Sequence, residues 1–122
     1  MEEKVKILVV DDEEQIVDFL CHFLSRFGIT AAGATSGEEA LRVFSQFNPQ
    51  WIFLDIKMPG MDGFEILKNV KKIDPQVRTI MITGRNDEVS ESQAKELGVY
   101  DYIIKPLDLD ELKGKIKEYI MN

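Results

Sequence analysis

The residues best suited to chemistry in this sequence stand directly after short apolar runs. Asp11 and Asp12 follow the first run, Asp55 the third, Thr83 the fourth and Lys105 the fifth. Carboxylates brought close together repel one another, and one lysine neutralises only one of them. A hard divalent cation with oxygen ligands, such as Mg²⁺, relieves that repulsion. A carboxylate beside Mg²⁺ and a lysine is equipped to attack phosphorus.

An alternation of strands and helices would position these residues. Five short apolar runs have strand length and β-branching: Val5–Val10, Ile29–Ala34, Trp51–Leu54, Arg78–Ile82 and Tyr102–Ile104. Segments of helical spacing lie between them, which predicts an α/β domain with parallel strands, right-handed crossovers and helices on both faces. Ligands of such sheets bind at the carboxyl ends of the strands, so we expect the polar residues to converge there.

The predicted helices differ in how much apolar surface they can bury. The first has a stripe made of Ile16, Leu20, Phe23, Leu24 and Phe27. The fifth has a stripe made of Leu109, Leu112, Ile116 and Ile120. The fourth, from about 87 to 97, is polar and offers only Val89, Ala94 and Leu97 for burial, so we expect it to pack loosely.

Acidic and hydroxyl residues mark the helix starts. Ser36, Asp62 and Asp108 are each followed three residues later by a glutamate, which is the spacing of N-terminal caps. Asp12 has the same relation to Gln15, so both capping of the first helix and metal ligation are open to it.

Composition limits the classes of function. With 15 basic and 22 acidic residues, the net charge of −7 argues against direct binding to nucleic acid or to an anionic membrane. The single cysteine, Cys21, cannot form an internal disulfide, and no apolar run is long enough to cross a bilayer. The N-terminus lacks the apolar core of a signal peptide, so we expect a cytoplasmic protein.

Four motifs at residues 7–13, 53–63, 82–84 and 102–106 together resemble the receiver domain of two-component response regulators. The resemblance covers the whole chain and implies a single receiver domain, residues 1–122. The implied fold is flavodoxin-like, a doubly wound (βα)₅ domain whose five-stranded parallel sheet has the order 2-1-3-4-5. It also implies that the fourth helix, fifth strand and fifth helix form the face that changes on activation.

The resemblance assigns a role to each candidate residue. Asp55 would be the phosphoacceptor, taking a phosphoryl group from a histidine kinase or a histidine phosphotransferase. Asp12, Asp55 and the backbone carbonyl of Lys57 would hold Mg²⁺, and Asp11 would act through a metal-bound water. Lys105 would pair with the phosphoryl oxygens.

Further residues are implied in switching and in the lifetime of the phosphorylated state. Thr83 would move to hydrogen-bond the phosphoryl group, and Tyr102 would swing inward behind it. Lys57 and Arg85, each two residues beyond a motif residue, would tune hydrolysis of the acyl phosphate.

Two architectures stay open. The chain is similar to stand-alone receivers of the sporulation phosphorelay type and also to receivers of nitrogen-regulator-type transcription regulators. Its output is therefore either a downstream protein target or an output domain of its own, and a phosphorylation-dependent dimer is left open. It would modify only itself, so we do not expect an enzyme with a separate substrate.

Two other classes fit less well. A hydrolase of the haloacid dehalogenase type needs a second acid two residues after the nucleophilic aspartate, where this sequence has Lys57. A pseudo-receiver would lack part of the acidic set, which is intact here.

Overall fold

The computed structural model describes residues 4–84 and 88–121, and its centre is a five-stranded sheet. The strands are β1 (Lys6–Val10), β2 (Thr30–Ala34), β3 (Trp51–Leu54), β4 (Arg78–Thr83) and β5 (Asp101–Ile104). All neighbouring strands pair in parallel, in the order β2-β1-β3-β4-β5. The doubly wound fold and the strand order expected from the resemblance are confirmed.

Helices cover both faces of the sheet. They are α1 (Glu14–Ser25), α2 (Gly37–Phe47), α3 (Gly63–Ile73), α4 (Glu88–Glu96) and α5 (Leu109–Lys115), and α5 continues into a π-helical turn, Ile116–Ile120. One apolar cluster joins the sheet to α1 and α5, and the other joins it to α2, α3 and α4. Because successive strand residues point to opposite faces, Ile7 and Val9 enter the first cluster while Leu8 and Val10 enter the second.

Three predicted caps are confirmed. The Ser36 hydroxyl accepts from the Glu39 N–H at 3.1 Å, and the Asp62 carboxylate accepts from the Glu65 N–H at 3.0 Å. The Asp108 carboxylate likewise accepts from the backbone of the first turn of α5. These bonds satisfy N–H groups that have no partner within the helix.

Asp12 does not cap α1. The N-cap residue is Glu13, whose side chain makes no capping hydrogen bond. Asp12 is exposed, which leaves its carboxylate available for a ligand.

Two predicted core residues are exposed instead. Val89 is 76% exposed, because the buried side of α4 runs through Ser90 and Ala94, one position away. Leu109 is 43% exposed; it is the first residue of α5, and burial begins one turn later at Leu112. The π-helical turn was not predicted, and its wider spacing shows in the bond from the Met121 N–H to the Ile116 carbonyl.

Across residues 4–84 and 88–121, every helix is too short or too polar to cross a lipid bilayer.

Candidate functional site

The acidic residues lie together at the carboxyl edge of the sheet. The register pairs Val10 with Leu54, so Asp11 and Asp55 leave adjacent strands side by side. The Asp55 N–H donates to the Val10 carbonyl at 3.0 Å, which ties the start of the β3–α3 loop to β1. One carboxylate oxygen from each of Asp11, Asp12 and Asp55 lies within 4.8 Å of the others. The predicted convergence of these acids is confirmed.

Lys105 bridges two of the carboxylates. Its Nζ lies 2.6 Å from Asp11 Oδ2 and 3.4 Å from Asp55 Oδ2. Burial disfavours the charged ammonium, but the hydrogen bond to Asp11 and the charges of Asp55 and Asp11 outweigh it, so the pKa of Lys105 is raised above its ordinary value. Among these four groups, three carboxylates outnumber one ammonium, so their net charge is negative.

The carboxylates differ in how well they are satisfied. Asp11 Oδ1 accepts from the Glu13 N–H at 2.9 Å, and its other oxygen is held by Lys105. Asp55 is 5% exposed, and its Oδ1 is buried without a hydrogen-bond partner among the described residues. Burying a carboxylate oxygen without a hydrogen-bond donor lowers the stability of the fold, so a ligand that binds this atom would be stabilising.

The donor set fits a magnesium ion. Mg²⁺ takes oxygen ligands at about 2.1 Å in octahedral geometry, which places neighbouring ligands about 3 Å and opposite ligands about 4 Å apart. Carboxylate oxygens within 4.8 Å of one another can reach such an ion with small movements or through a water molecule. The unpartnered Asp55 Oδ1 and the net negative charge of the group also favour a bound cation.

The carboxylates of Asp12 and Asp55 open onto a cleft of about 600 Å³. Its lining residues are Asp12, Glu13, Asp55, Lys57, Met58, Pro59, Gly84 and Lys105. Lys57 is exposed on this wall, where the sequence placed it, and Arg85 lies outside the described residues. The volume is that of a small-ligand site.

Thr83 and Tyr102 lie in different surroundings. Thr83 ends β4 fully buried beside the cleft residue Gly84, and its carbonyl accepts from the Lys105 N–H at 2.8 Å. Tyr102 is half-buried and lines a second cavity, between α4 and β5, with Glu91 and Lys95. The structure therefore places Tyr102 on the α4–β5 surface, whereas Thr83 is buried next to a residue that lines the acidic cleft.

Gly63 is a site residue to which sequence reasoning assigned no role. A Cβ at this position would lie 2.2 Å from the Asp55 carbonyl oxygen and 2.8 Å from Ile56 Cα. The signal in the sequence was a glycine in the first turn of a helix, directly after the capping Asp62, where glycine brings no helical advantage.

Comparison with known proteins identifies relatives that cover nearly all of the chain. Residues 7–117 match the family model of the response regulator receiver domain. The chain is 40% identical over 117 residues to Sporulation initiation phosphotransferase F of Bacillus subtilis (strain 168), covering 94% of this chain and 93% of that protein. It is 38% identical over 112 residues to Alkaline phosphatase synthesis transcriptional regulatory protein PhoP of the same organism, covering 92% of this chain and 47% of that protein.

Solved structures show the same fold. Chemotaxis protein CheY4 of Vibrio cholerae superposes with a TM-score of 0.89 at 26% identity, covering 97% of this chain and 100% of that one. A chain in the CheX–CheY–BeF₃–Mg²⁺ complex of Borrelia burgdorferi superposes with a TM-score of 0.86 at 30% identity, covering 93% of this chain and 87% of that one.

The doubly wound α/β fold, the acidic cleft at its carboxyl edge and the relatives together define the class of phosphoacceptor signalling domains. The chain belongs to the response regulator receiver domain family. The family assignment and the signalling function made from the motifs are both confirmed. Domains of this family bind Mg²⁺ at an acidic pocket and interact with kinases or phosphotransferases. The chain spans nearly all of the first relative and about half of PhoP. Both architectures that the sequence left open, a stand-alone receiver and a receiver with an output domain, are therefore compatible with these relatives.

Proposed function

We propose that Asp55 is the phosphoacceptor and that it takes its phosphoryl group from a phosphohistidine of a kinase or a phosphotransferase. The observation that carries the proposal is the buried Asp55 Oδ1, which has no hydrogen-bond partner among the described residues and belongs to a carboxylate lining the cleft. Asp11 does not suit this role, because the Glu13 N–H and Lys105 already hold its two oxygens.

In the transfer step, a carboxylate oxygen of Asp55 forms a bond to phosphorus while the P–N bond of the phosphohistidine breaks. The imidazole nitrogen leaves with the electron pair of that bond. Lys105, already 3.4 Å from Asp55 Oδ2, is placed to pair with the phosphoryl oxygens. Asp12, Asp55 and the Lys57 carbonyl would hold Mg²⁺, with Asp11 acting through a water. The bound ion would supply further neutralisation of charge on the phosphoryl oxygens.

The same phosphoryl group would drive the switch. Contacts from Thr83 and Lys105 that form only in the phosphorylated state could supply about 3–6 kcal/mol together. Moving a two-state equilibrium from about 1:99 to 99:1 takes about 5.5 kcal/mol. Inward movement of Tyr102, on the α4–β5 surface, would carry the change to the face formed by α4, β5 and α5.

The output is a protein partner or an attached domain. The chain catalyses its own phosphorylation and dephosphorylation and turns over no separate substrate. Lys57 stands on the cleft wall, where its side chain would control the access of water to the acyl phosphate. Changing Lys57 or Arg85 should alter the phosphoryl lifetime severalfold and leave the acceptor unchanged. Decay rates equal to wild type in both variants would contradict this role.

Intact-mass analysis tests the acceptor. The wild-type chain, treated with a small phosphodonor, should gain one phosphoryl mass with Mg²⁺ and little without it. Asp55→Asn should gain none. Asp62→Asn is the matched control, because it changes a carboxylate that caps α3, and it should be phosphorylated like wild type. A phosphoryl gain that persists in Asp55→Asn would move the acceptor to another residue.

A further inference from the structure

We infer that Gly63 is a positioning residue for the acceptor site: its missing side chain lets the first turn of α3 rest on the Asp55–Ile56 backbone, and that contact sets where the metal ligands lie. The inference rests on the proposed function, since it concerns the same Mg²⁺ site. Gly63 touches neither the cation nor the phosphoryl group and acts through the backbone that carries their ligands.

The contact is too close for any side chain. A Cβ on Gly63 would lie 2.2 Å from the Asp55 carbonyl oxygen and 2.9 Å from the Asp55 carbonyl carbon, well inside van der Waals distance. The opposing atoms are backbone, so no change of rotamer can make room for it. Glycine is therefore required here for steric reasons. To make room for a Cβ, α3 and the Asp55–Ile56 backbone would have to separate by about 1 Å. A displacement of that size can reduce function about 100-fold at a reacting centre.

The backbone that would move carries two expected ligands. The Gly63 N–H donates to the Ile56 carbonyl at 2.8 Å, closing the loop that begins at Asp55. On its other side, the Asp55 N–H is held by the Val10 carbonyl at 3.0 Å. If α3 moved away from this backbone, Asp55 and the Lys57 carbonyl would move with the loop. Asp12 would stay in place on the loop after β1, so the three expected ligands would no longer be aligned.

The chain contains a matched control in Gly37. Gly37 also begins a helix, α2, directly after a capping residue, Ser36. A Cβ there would meet the side chain of Met61, at 2.8 Å from its Cβ and 2.9 Å from its Sδ. Both glycine-to-alanine variants therefore strain a helix start. The one at Gly63 presses directly on the Asp55–Ile56 backbone, whereas the one at Gly37 reaches the far end of the same loop through the Met61 side chain.

The experiment titrates wild type, Gly63→Ala and Gly37→Ala with magnesium chloride and measures Mg²⁺ binding by calorimetry. Urea unfolding of each variant is measured in parallel. Loss of a group that orients metal ligands costs about 10–100-fold in affinity. We expect a weakening of that order in Gly63→Ala and a dissociation constant within about twofold of wild type in Gly37→Ala. An unchanged affinity in Gly63→Ala overturns the inference, and so does an equal loss in Gly37→Ala.

Two further outcomes, wild type that does not bind Mg²⁺ and Gly63→Ala that does not fold, can be distinguished from a loss of affinity. If wild type fails to bind Mg²⁺, the proposed metal site fails, and the inference fails with it. If Gly63→Ala does not fold, it is repeated with Gly114→Ala, which adds a methyl group in an exposed turn of α5 with no atom within 4 Å. A chain that stays unfolded in that background overturns the inference, because Gly63 would then be required by the fold as a whole.

Discussion

Two aspartates lie at opposite ends of the parallel strands, one where a strand begins and one where a strand ends, and they have opposite surroundings. Asp101, at the start of β5, accepts hydrogen bonds from the Lys115 ammonium, from the Tyr119 hydroxyl at 2.8 Å and from the Tyr102 N–H at 2.7 Å. Asp55, at the end of β3, has one donor at 3.4 Å and an oxygen without a partner among the described residues. A carboxylate with all its donors stabilises the fold, whereas one that lacks donors is available to a ligand.

The amino edge of the sheet, where the parallel strands begin, is held together through Asp101. Burial alone would raise the pKa of Asp101, but hydrogen bonds from Lys115, from the Tyr102 N–H and from Tyr119 hold it below its usual value. The hydrogen bond to Asp101 is also the main reason that the pKa of Lys115 is raised. The carboxylate thus ties α5 and the turn that follows it to β5.

Aromatic rings extend this attachment to the neighbouring strands. The ring centroids of Trp51 and Tyr100 are 5.0 Å apart, and those of Tyr100 and Tyr119 are 5.4 Å apart. The Arg78 guanidinium lies 5.6 Å from the Trp51 ring centroid. Such contacts add about 0.5–1.5 kcal/mol each beyond the burial of area. These contacts therefore join β3, β4 and β5 to the π-helical turn after α5, at the edge remote from the cleft.

The largest effect is expected from Lys105→Met in Mg²⁺-free buffer. The change leaves Asp11 and Asp55 buried beside each other without a cation, and breaking a buried pair from one side costs about 3 kcal/mol or more. Urea unfolding should show that loss, and added Mg²⁺ should reduce it.

Lys115→Met is the control at the other edge. It removes the partner of a single, more exposed carboxylate, so its loss should be smaller and independent of Mg²⁺. Equal losses in the two variants, with the same response to Mg²⁺, would remove the distinction between the edges.

Asp101→Asn should lower the free energy of unfolding by about 1–2 kcal/mol at pH 7, with or without Mg²⁺. The folded pKa of Asp101 lies below the unfolded value of about 3.9. The carboxylate therefore stabilises the fold above the unfolded pKa, and the stabilisation is lost as pH falls through the folded pKa. Unfolding of both proteins between pH 7 and 3 should show a constant difference that shrinks at the acid end. A difference that grows on acidification would contradict this assignment.

The same substitution at the other edge should have the opposite sign. Asp55→Asn removes one of three crowded negative charges, and like charges about 4 Å apart repel by about 1 kcal/mol even in water. In Mg²⁺-free buffer we therefore expect Asp55→Asn to raise the free energy of unfolding by about 1 kcal/mol. Millimolar Mg²⁺ should cancel the gain by stabilising wild type alone. A loss of stability in Mg²⁺-free buffer would show that Asp55 is satisfied in the fold.

The smallest effect is expected from Gly114→Ala. Gly114 is an exposed helical residue, and a Cβ there meets no atom within 4 Å. Alanine should stabilise the chain by about 0.5–1 kcal/mol, through helix propensity and a less flexible unfolded state. Thermal unfolding should show this gain equally in wild type, Asp55→Asn and Asp101→Asn, since Gly114 contacts neither carboxylate. A gain that depends on either background would reveal coupling between α5 and that edge.

Much of the fold was readable because its signals are local. Strand runs, helical stripes and capping residues each depend on a few neighbouring positions, so Ser36, Asp62 and Asp108 were placed correctly. Val89 was misplaced because α4 is so polar that its buried side is set by the neighbouring strand rather than by its own pattern.

The sequence by itself determined the alternation of strands and helices, and with it the edge at which Asp11, Asp55 and Lys105 meet, because parallel strands all end on the same side. Only the tertiary structure decided which carboxylate oxygens are already satisfied, that Asp12 does not cap α1, and that Gly63 rests against Asp55. Those properties depend on distances between elements far apart in the chain, and such distances are set by the packing of helices on the sheet.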